Sequence, residues 1–489
     1  MRLNRKTAVR AVFGGLTLLL AAGCSTPAEK FQKQLGRGGK VYLPQGVLEL
    51  KQPLSIGPGV RNLELIGSKE TVIRPHAEFQ GGAFIRCRSC KNVRLRGFVI
   101  EGTANSASAL PVDIPPSEVP FLNHYQGNGI TMDGADGVLV SGVTFRDISS
   151  FAVLVSQSKN VRIENVAVLN SGSRNSRGRN NTTGGILFEE GSDRWEVLDS
   201  RFEKILGNGV WTHSRYNSPR NSNGLIKGNT FTTIGRDAVQ VGHANRVRVV
   251  GNKGKLIGYP IDIIDVENNA TPVGVDTAGK VDESYYTDNT FEEVNGKCFD
   301  LDGFHDGEVA RNVCINRGKP EDYPHGHFGL VMNNTFPEMR SQLITVRDNV
   351  FDGMKFGGLF VIGAGHKIIG NKLLNLNRAA CNERKAEFGC VAFPDEPDVM
   401  KAGIYLGQRA ERPDPVEEIL IENNQITGHQ MKSNCILYAP RVNPATLQSK
   451  GNVCTDVVYR DDSLPKLGDQ KATPTQGDEY RVLQMPEVK

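Results

Sequence analysis

Gly228-Asn229-Thr230-Phe231, Gly251-Asn252-Lys253-Gly254, Asp288-Asn289-Thr290-Phe291 and Arg311-Asn312-Val313-Cys314 decide the fold of this chain. The unit returns as Asp348-Asn349-Val350-Phe351, Gly370-Asn371-Lys372-Leu373, Asn423-Asn424-Gln425-Ile426 and Gly451-Asn452-Val453-Cys454. Eight times an Asn is followed, two residues later, by an apolar or small residue, and the shortest steps between units are 22 to 23 residues. The other steps read as that length plus an insertion. A period of this size belongs to a solenoid, whose units stack along one axis because a single unit cannot bury its own apolar face. Between the units run short alternating segments such as Leu63-Glu64-Leu65-Ile66 and Val93-Arg94-Leu95-Arg96, which read as strands. Strands stacked at about 4.8 Å pair every backbone group with the turn above and below. Asn suits the corner of such a turn: it tolerates left-handed backbone, and its amide can bond to an identical amide in the next turn.

The bulk numbers agree. The 489 residues include 54 Gly, aromatics make up 7%, and β-branched runs recur, which favours a turn-rich β fold over a helical one. The formal net charge of +4 is small, and Lys and Arg are scattered with no basic stripe interleaved with aromatics. That argues neither for nucleic acid nor for a strongly acidic partner, and no nucleic-acid partner is expected. No segment reads as an independent second domain.

The opening run Gly38-Gly39-Lys40-Val41-Tyr42-Leu43-Pro44-Gln45-Gly46 and the Gly-Asn turns resemble the right-handed parallel β-helix superfamily, which includes pectate lyases, polygalacturonases and alginate epimerases. The fold class expected is therefore all-β, a right-handed parallel β-helix of roughly 11 to 13 coils. It should occupy residues 41–458, with 24–40 as a linker or N-terminal cap and 459–489 as a polar tail. Insertions near 103–128, 171–183, 215–223, 268–284, 317–327, 378–401 and 409–415 are expected to gather on one face and wall a groove.

Residues 1–23 read as an export signal, with Arg2, Arg5, Lys6 and Arg10 before an apolar stretch from Ala11 to Ala22. Leu20-Ala21-Ala22-Gly23-Cys24 resembles the bacterial lipobox, which implies that Cys24 receives lipid; Ser25 after it implies sorting to the outer membrane. The expected location is then an outer-membrane lipoprotein facing the periplasm or the cell surface, bound to the membrane through its N-terminal lipid. The other eight cysteines fall into close pairs, Cys87/Cys90, Cys298/Cys314, Cys381/Cys390 and Cys435/Cys454, and an oxidising compartment suggests disulfides. Zinc at Cys87-x-x-Cys90 is the competing reading.

Aligning the strand that starts each turn yields rows. Ala152-Val153-Leu154-Val155, Gly185-Ile186-Leu187-Phe188, Gly209-Val210-Trp211-Thr212 and Ala238-Val239-Gln240-Val241 share a frame with Cys298-Phe299-Asp300-Leu301, Gly329-Leu330-Val331-Met332, Gly358-Leu359-Phe360-Val361 and Gly403-Ile404-Tyr405-Leu406. Apolar second and fourth positions point inward, so the third and fifth point out. This predicts an exposed row of Trp211, Gln240, Asp300, Val331, Phe360 and Tyr405, with Glu189, His213, Gly242, Asp302 and Asn333 beside it. Ile261-Asp262-Ile263-Ile264-Asp265 fits between Gln240 and Asp300 and puts Asp262 next to Asp300.

Acids flanked by flat rings fit a sugar-binding groove. Asp262, Asp300, Asp302 and His305 are the candidate catalytic groups, and Trp211, Gln240, His243, Phe360, Tyr405 and Arg236 the candidate substrate contacts. Stacked carboxylates repel, so one should be held protonated and able to act as an acid. Asp300 and Asp302, two apart on one strand, approach the inverting-glycosidase spacing of roughly 6.5–9.5 Å. Polygalacturonases also carry acids on adjacent turns, but Asn-Thr-Asp, adjacent Asp-Asp and Arg-Ile-Lys are missing from the expected coil of residues 41–458. A lyase or epimerase would instead pair the acids with Ca²⁺ to neutralise a uronate; the chain alone fixes no metal. The partner expected is a polysaccharide or oligosaccharide, cleaved or epimerised by an enzyme, or only held by a non-catalytic glycan-binding scaffold or export accessory.

Overall fold

The protein's structure, a computed structural model, describes residues 27–457 apart from 105–114, 117, 175–179, 181–182, 264–271, 337, 382–387, 391–392, 409 and 411. The export signal, Cys24, Asp265 and the 459–489 tail lie outside the described residues.

Each turn of the chain lays down three short parallel strands, and the whole is a right-handed parallel β-helix. Two faces run together around a corner into one sheet of 27 strands, and the third forms a separate sheet of 14. The 14 levels on that face exceed the expected range by one. The first six levels, from Gly46–Leu50 to Arg201–Ile205, lack the Asn unit, and the eight Asn units open the other eight.

The eight Asn residues form one continuous ladder at the corner before the third face. Each side-chain Nδ2 donates to the Oδ1 of the next, from Asn229 to Asn252 (3.0 Å), Asn289, Asn312, Asn349, Asn371, Asn424 and Asn452, with the later bonds all 2.9 Å. The left-handed residue is not the Asn but the one before it: Gly228 (φ 70°), Gly251 (64°), Asp288 (60°), Arg311 (56°), Asp348 (55°), Gly370 (66°), Asn423 (56°) and Gly451 (67°). That residue turns the corner and aims the following amide inward. The residue two places after each Asn also points inward, so Phe231, Phe291, Cys314, Phe351, Leu373 and Ile426 form a buried row of the core. Further along the interior, Phe202 stacks on Phe231 at 4.9 Å and Phe188 on Trp195 at 4.3 Å.

All four cysteine pairs are disulfides, with Cα–Cα distances of 5.6 Å (Cys87–Cys90), 6.2 Å (Cys298–Cys314), 5.1 Å (Cys381–Cys390) and 5.9 Å (Cys435–Cys454). The zinc reading of Cys87-x-x-Cys90 is thereby set aside. At the N-terminal end the helix Pro27–Leu35 packs on the first turns, and Gln32 bonds the Ser55 backbone through both amide atoms (2.7 and 2.8 Å).

The insertions wall the first face, which is the strand row from Leu54–Ile56 to Ile436–Tyr438. Those at 102–127, 170–183, 258–272, 316–329 and 377–403 enter it, and those at 214–220, 334–344 and 407–418 leave it. The insertion expected at 268–284 is displaced: Val273–Asp282 is a strand of this face, and the excursion ends before it.

Candidate functional site

The first-face register follows the sequence alignment except at one turn. Trp211 pairs with Gln240, Asp300 with Val331, Val331 with Phe360 and Phe360 with Tyr405. Between Gln240 and Asp300 stands Asp276, paired to both. Asp262 is not on the face: Ile261–Ile263 is a 3-10 turn in the entering insertion, and the Asp262 side chain is 81% exposed beside Arg174. Val273-Gly274-Val275-Asp276 offers the alternation that Ile261-Asp262-Ile263 only imitates.

The row points outward as expected but is roofed. Trp211 is 7% exposed, Gln240 4%, Phe360 1% and Tyr405 1%. The segment around the short helix Phe121–His124 covers the first part, with Phe121 edge-on to Trp211 at 5.2 Å and 4.7 Å from the His213 ring. Phe121, Tyr125, Phe151, Leu154, Leu187 and Trp211 form a small second core outside the coil. Phe360 and Tyr405 stack at 6.1 Å, and the 377–403 insertion brings Glu396 onto the Tyr405 hydroxyl. Alternation fixes which way a side chain points, not what lies over it.

Under this roof the acids converge on Asp276 and Asp300. Asn208 Nδ2 donates to Gln240 Oε1 (2.9 Å), and Gln240 Nε2 donates to Asp276 Oδ2 (2.6 Å). Asp237, just before its strand, accepts from the Val273 backbone N–H (2.9 Å) and lies 3.3 Å from Arg236 Nε. Lys297 forms an ion pair with Asp300 Oδ2, while Asp300 Oδ1 and Asp237 Oδ2 are buried with no hydrogen-bond partner among the described residues. Burial, then the charges of Asp237 and Asp300, pushes the Asp276 carboxyl well above the usual carboxylate range. Burial raises Asp237 as well, against the pull of Arg236. The opening is narrow: 13% of the Asp300 side chain, 4% of Lys297 and 15% of Arg236 meet solvent.

The remaining candidates lie elsewhere. Asp302 holds the exiting loop, accepting from Thr335 N–H (2.8 Å) and Thr335 Oγ1 (2.7 Å). His305 lies around the corner, because Gly303 (φ 60°) turns the strand onto the second face. There it meets Asp306 (2.6 Å) and Asp282 (3.8 Å). A Cβ on Gly303 would come within 3.1 Å of Gly279 Cα in the turn below, so the bend admits no larger residue easily. His243 is buried at the exit edge, 6.0 Å from the His213 ring and 5.8 Å from Phe336, with neither ring nitrogen bonded among the described residues. Calcium does not fit: Asp300 faces Lys297 and Asp302 is committed to Thr335. Among the described residues no three His, Cys, Asp or Glu side chains are grouped to hold a metal ion.

Glu189 latches the roof. Its carboxylate is wholly buried and accepts from Phe121 N–H (2.8 Å) and Leu122 N–H (2.9 Å). Next to it Glu190 binds Arg215 (2.8 Å), which reaches the Glu118 carbonyl (3.3 Å). Glu189→Ala strips the acceptor from two N–H groups, at about 1–3 kcal/mol each. The expected result is faster hydrogen exchange across 118–125 and red-shifted, quencher-accessible Trp211 fluorescence, with the interior Trp195 unchanged.

The pH dependence follows from burial. Burial raises Glu189 to about 7, so the stability it contributes is full below the ordinary carboxyl pKa and is lost as pH rises through about 7. Asp237 and Asp276 act in the same sense. Burial depresses His213, His243, His325 and His366 to about 4 and His327 further, so their contribution is present above the ordinary imidazole pKa and is lost as pH falls toward 4. Five imidazoles oppose three carboxyls, so thermal unfolding should show stability falling on acidification from pH 6.5 to 4.5, and falling more steeply in Glu189→Gln.

Comparison with known proteins agrees with the fold. The chain matches a family model described as a right-handed β-helix region over residues 122–276. In sequence, no curated protein matches it. Among solved structures it is similar to pre-mature gene product 12 of bacteriophage phi29, at 12% identity and a TM-score of 0.59, covering 86% of this chain and 53% of that one. It is similar to a tailspike protein of E. coli bacteriophage HK620 in complex with a pentasaccharide, at 12% identity and a TM-score of 0.53, covering 84% and 73%. For ORF18 of Geobacillus virus E2 the identity is 14% and the TM-score 0.48, covering 65% and 57%, so this chain spans little more than half of that protein and of the phi29 protein. Coil, ladder and comparisons together identify the chain as a right-handed parallel β-helix.

Proposed function

We propose that the protein is a carbohydrate-active enzyme, a glycoside hydrolase in which Asp276 is the acid and Asp300 the ion-paired carboxylate. One observation carries this reading: two carboxyl groups in register on adjacent turns sit in opposite environments, Asp276 held toward its neutral form and Asp300 against the Lys297 ammonium. Such a division assigns the donor and the nucleophile or base. Adjacent turns are about 4.8 Å apart, which favours the retaining spacing of ~5–5.5 Å over the inverting one. The pentasaccharide bound by the HK620 tailspike supports a saccharide as the ligand class. The reading includes the envelope location expected from Cys24.

The test is to incubate the protein with a panel of bacterial and plant polysaccharides and follow new reducing ends and unsaturated products. New reducing ends with retained anomeric configuration support the hydrolase; unsaturated products move the reaction to a lyase. Binding with no product across the panel would leave the second reading, a glycan-binding scaffold, which the roof over Trp211, Phe360 and Tyr405 favours.

A further inference from the structure

The outward row of the first face is roofed in its middle and open at its start. Ser55 pairs with Arg86, Arg86 with Thr131 and Thr131 with Leu154, so these residues continue the Trp211–Asp276–Asp300 row toward the N-terminus. Here the insertions leave a cleft of about 390 Å³, with Arg86 and Thr131 on its floor and Asn123 and Tyr125 of the Glu189-latched segment as one wall. That is the size range of small-ligand sites. Its charged lining residues are Arg86, Arg88 and Asp133. Arg88 lies 3.6 Å from Asp133, whereas Arg86 has no ion-pair or hydrogen-bond partner among the described residues. Among the described residues the cleft therefore carries one uncompensated positive charge. The Cys87–Cys90 disulfide closes the chain immediately after Arg86 and fixes the strand end that presents it.

We propose that this cleft is a second saccharide site, selective for a sugar residue bearing a carboxylate or sulfate, which Arg86 receives. A guanidinium matches either anion with two parallel N–H donors, and a planar fork on a fixed strand loses little freedom in doing so. Six turns, about 29 Å, separate Arg86 from Asp276 along the axis. The site would anchor an acidic polymer whose distant stretch reaches the acid pair. The inference rests on the saccharide reading above but not on Asp276 and Asp300 being reactive.

Gly82 supplies a variant that blocks the cleft and keeps its charge. A Cβ there meets only Arg86 Nη2 and the Tyr125 carbonyl oxygen, both at 3.9 Å, so Gly82→Leu fills the space without backbone strain. Calorimetry on the full chain would compare hyaluronan tetrasaccharide (carboxylate only), chondroitin sulfate tetrasaccharide (carboxylate and sulfate) and neutral tetra-N-acetylchitotetraose. The expected result is at least tenfold tighter binding of one or both acidic probes than of tetra-N-acetylchitotetraose, lost about tenfold in Arg86→Gln and in Gly82→Leu. The probe that binds tells carboxylate from sulfate. Equal affinity for the neutral probe, undiminished binding in Arg86→Gln, or no binding of either acidic probe overturns the proposal. Failure of the hydrolase reading looks different: acidic probes bind, and no product forms.

Discussion

Asn312→Ala should lower the stability of the coil by about 3–5 kcal/mol, because it orphans several buried groups at once. Asn312 is fully buried in mid-ladder. Its Nδ2 donates to Asn349 Oδ1 (2.9 Å) and to the Tyr286 carbonyl (2.8 Å), and its Oδ1 accepts both the Asn289 N–H and the Asn289 Nδ2 (2.9 Å each). Alanine leaves the Asn289 N–H unpaired in a dry corner and takes one donor from the Tyr286 carbonyl. Asn312→Ser should cost less. Nature of the corner allows it: Ser200 occupies the corner just before the first rung, Asn229, accepting from the Val166 N–H (3.2 Å) and donating to the Leu198 carbonyl (2.8 Å). Asn452→Ala, at the partly exposed last rung, should cost least. Urea unfolding followed by circular dichroism ranks the three. An Asn312→Ala midpoint equal to wild type would mean that the ladder decorates a coil held by its apolar rows alone.

The ladder shows how much of this fold the sequence carries. The Asn spacing, the apolar residue two places on and the outward row from Trp211 to Tyr405 were all legible, because a coil forces identical turns into register. What the spacing could not locate was the turn between Gln240 and Asp300. Two alternating runs compete there, and the first, Ile261-Asp262-Ile263, lies closer to Gln240. The signal that separates them is the small residue opening each strand: Gly274-Val275-Asp276-Thr277 repeats the form of Gly209-Val210-Trp211-Thr212. The misplaced left-handed corner has a similar origin. Asn, Asp and Gly all favour that conformation, so the pattern names the dipeptide but not which member bends.

The roof was beyond the sequence for a different reason. Burial of Trp211 depends on Phe121, 90 residues earlier and three levels away in the stack, and no periodicity links an insertion to the strand it covers. Lys297 and Asp237 show the same limit. Both stand at the entry edge before the alternating stretch, where the frame stops predicting direction. Asp302 and His305 were drawn to the site by proximity in sequence, yet Gly303 bends the strand between them onto another face.

Asp276→Asn separates the hydrolase from the scaffold most sharply. If Asp276 is the proton donor, its amide cannot replace it, and turnover should fall by about 10²–10⁴-fold. Asp300→Asn should fall at least as far, since it removes the carboxylate that Lys297 holds. Neither loss should come from unfolding. An Asn at 276 still accepts from Gln240 Nε2, and it relieves a carboxyl whose neutral form burial favours. Because the folded-state pKa of Asp276 is raised, its contribution to stability is lost as pH rises through that value, so Asp276→Asn should melt at or above the wild-type temperature at pH 8. The wild-type rate should decline on the alkaline side as the acid loses its proton. Residual turnover in Asp276→Asn should lack that limb. Wild-type turnover on any saccharide that survives both substitutions undiminished would move the reacting centre away from this pair. A measurable binding constant that is identical in all three proteins, with no turnover in any, would make the acids structural and the coil a binding surface.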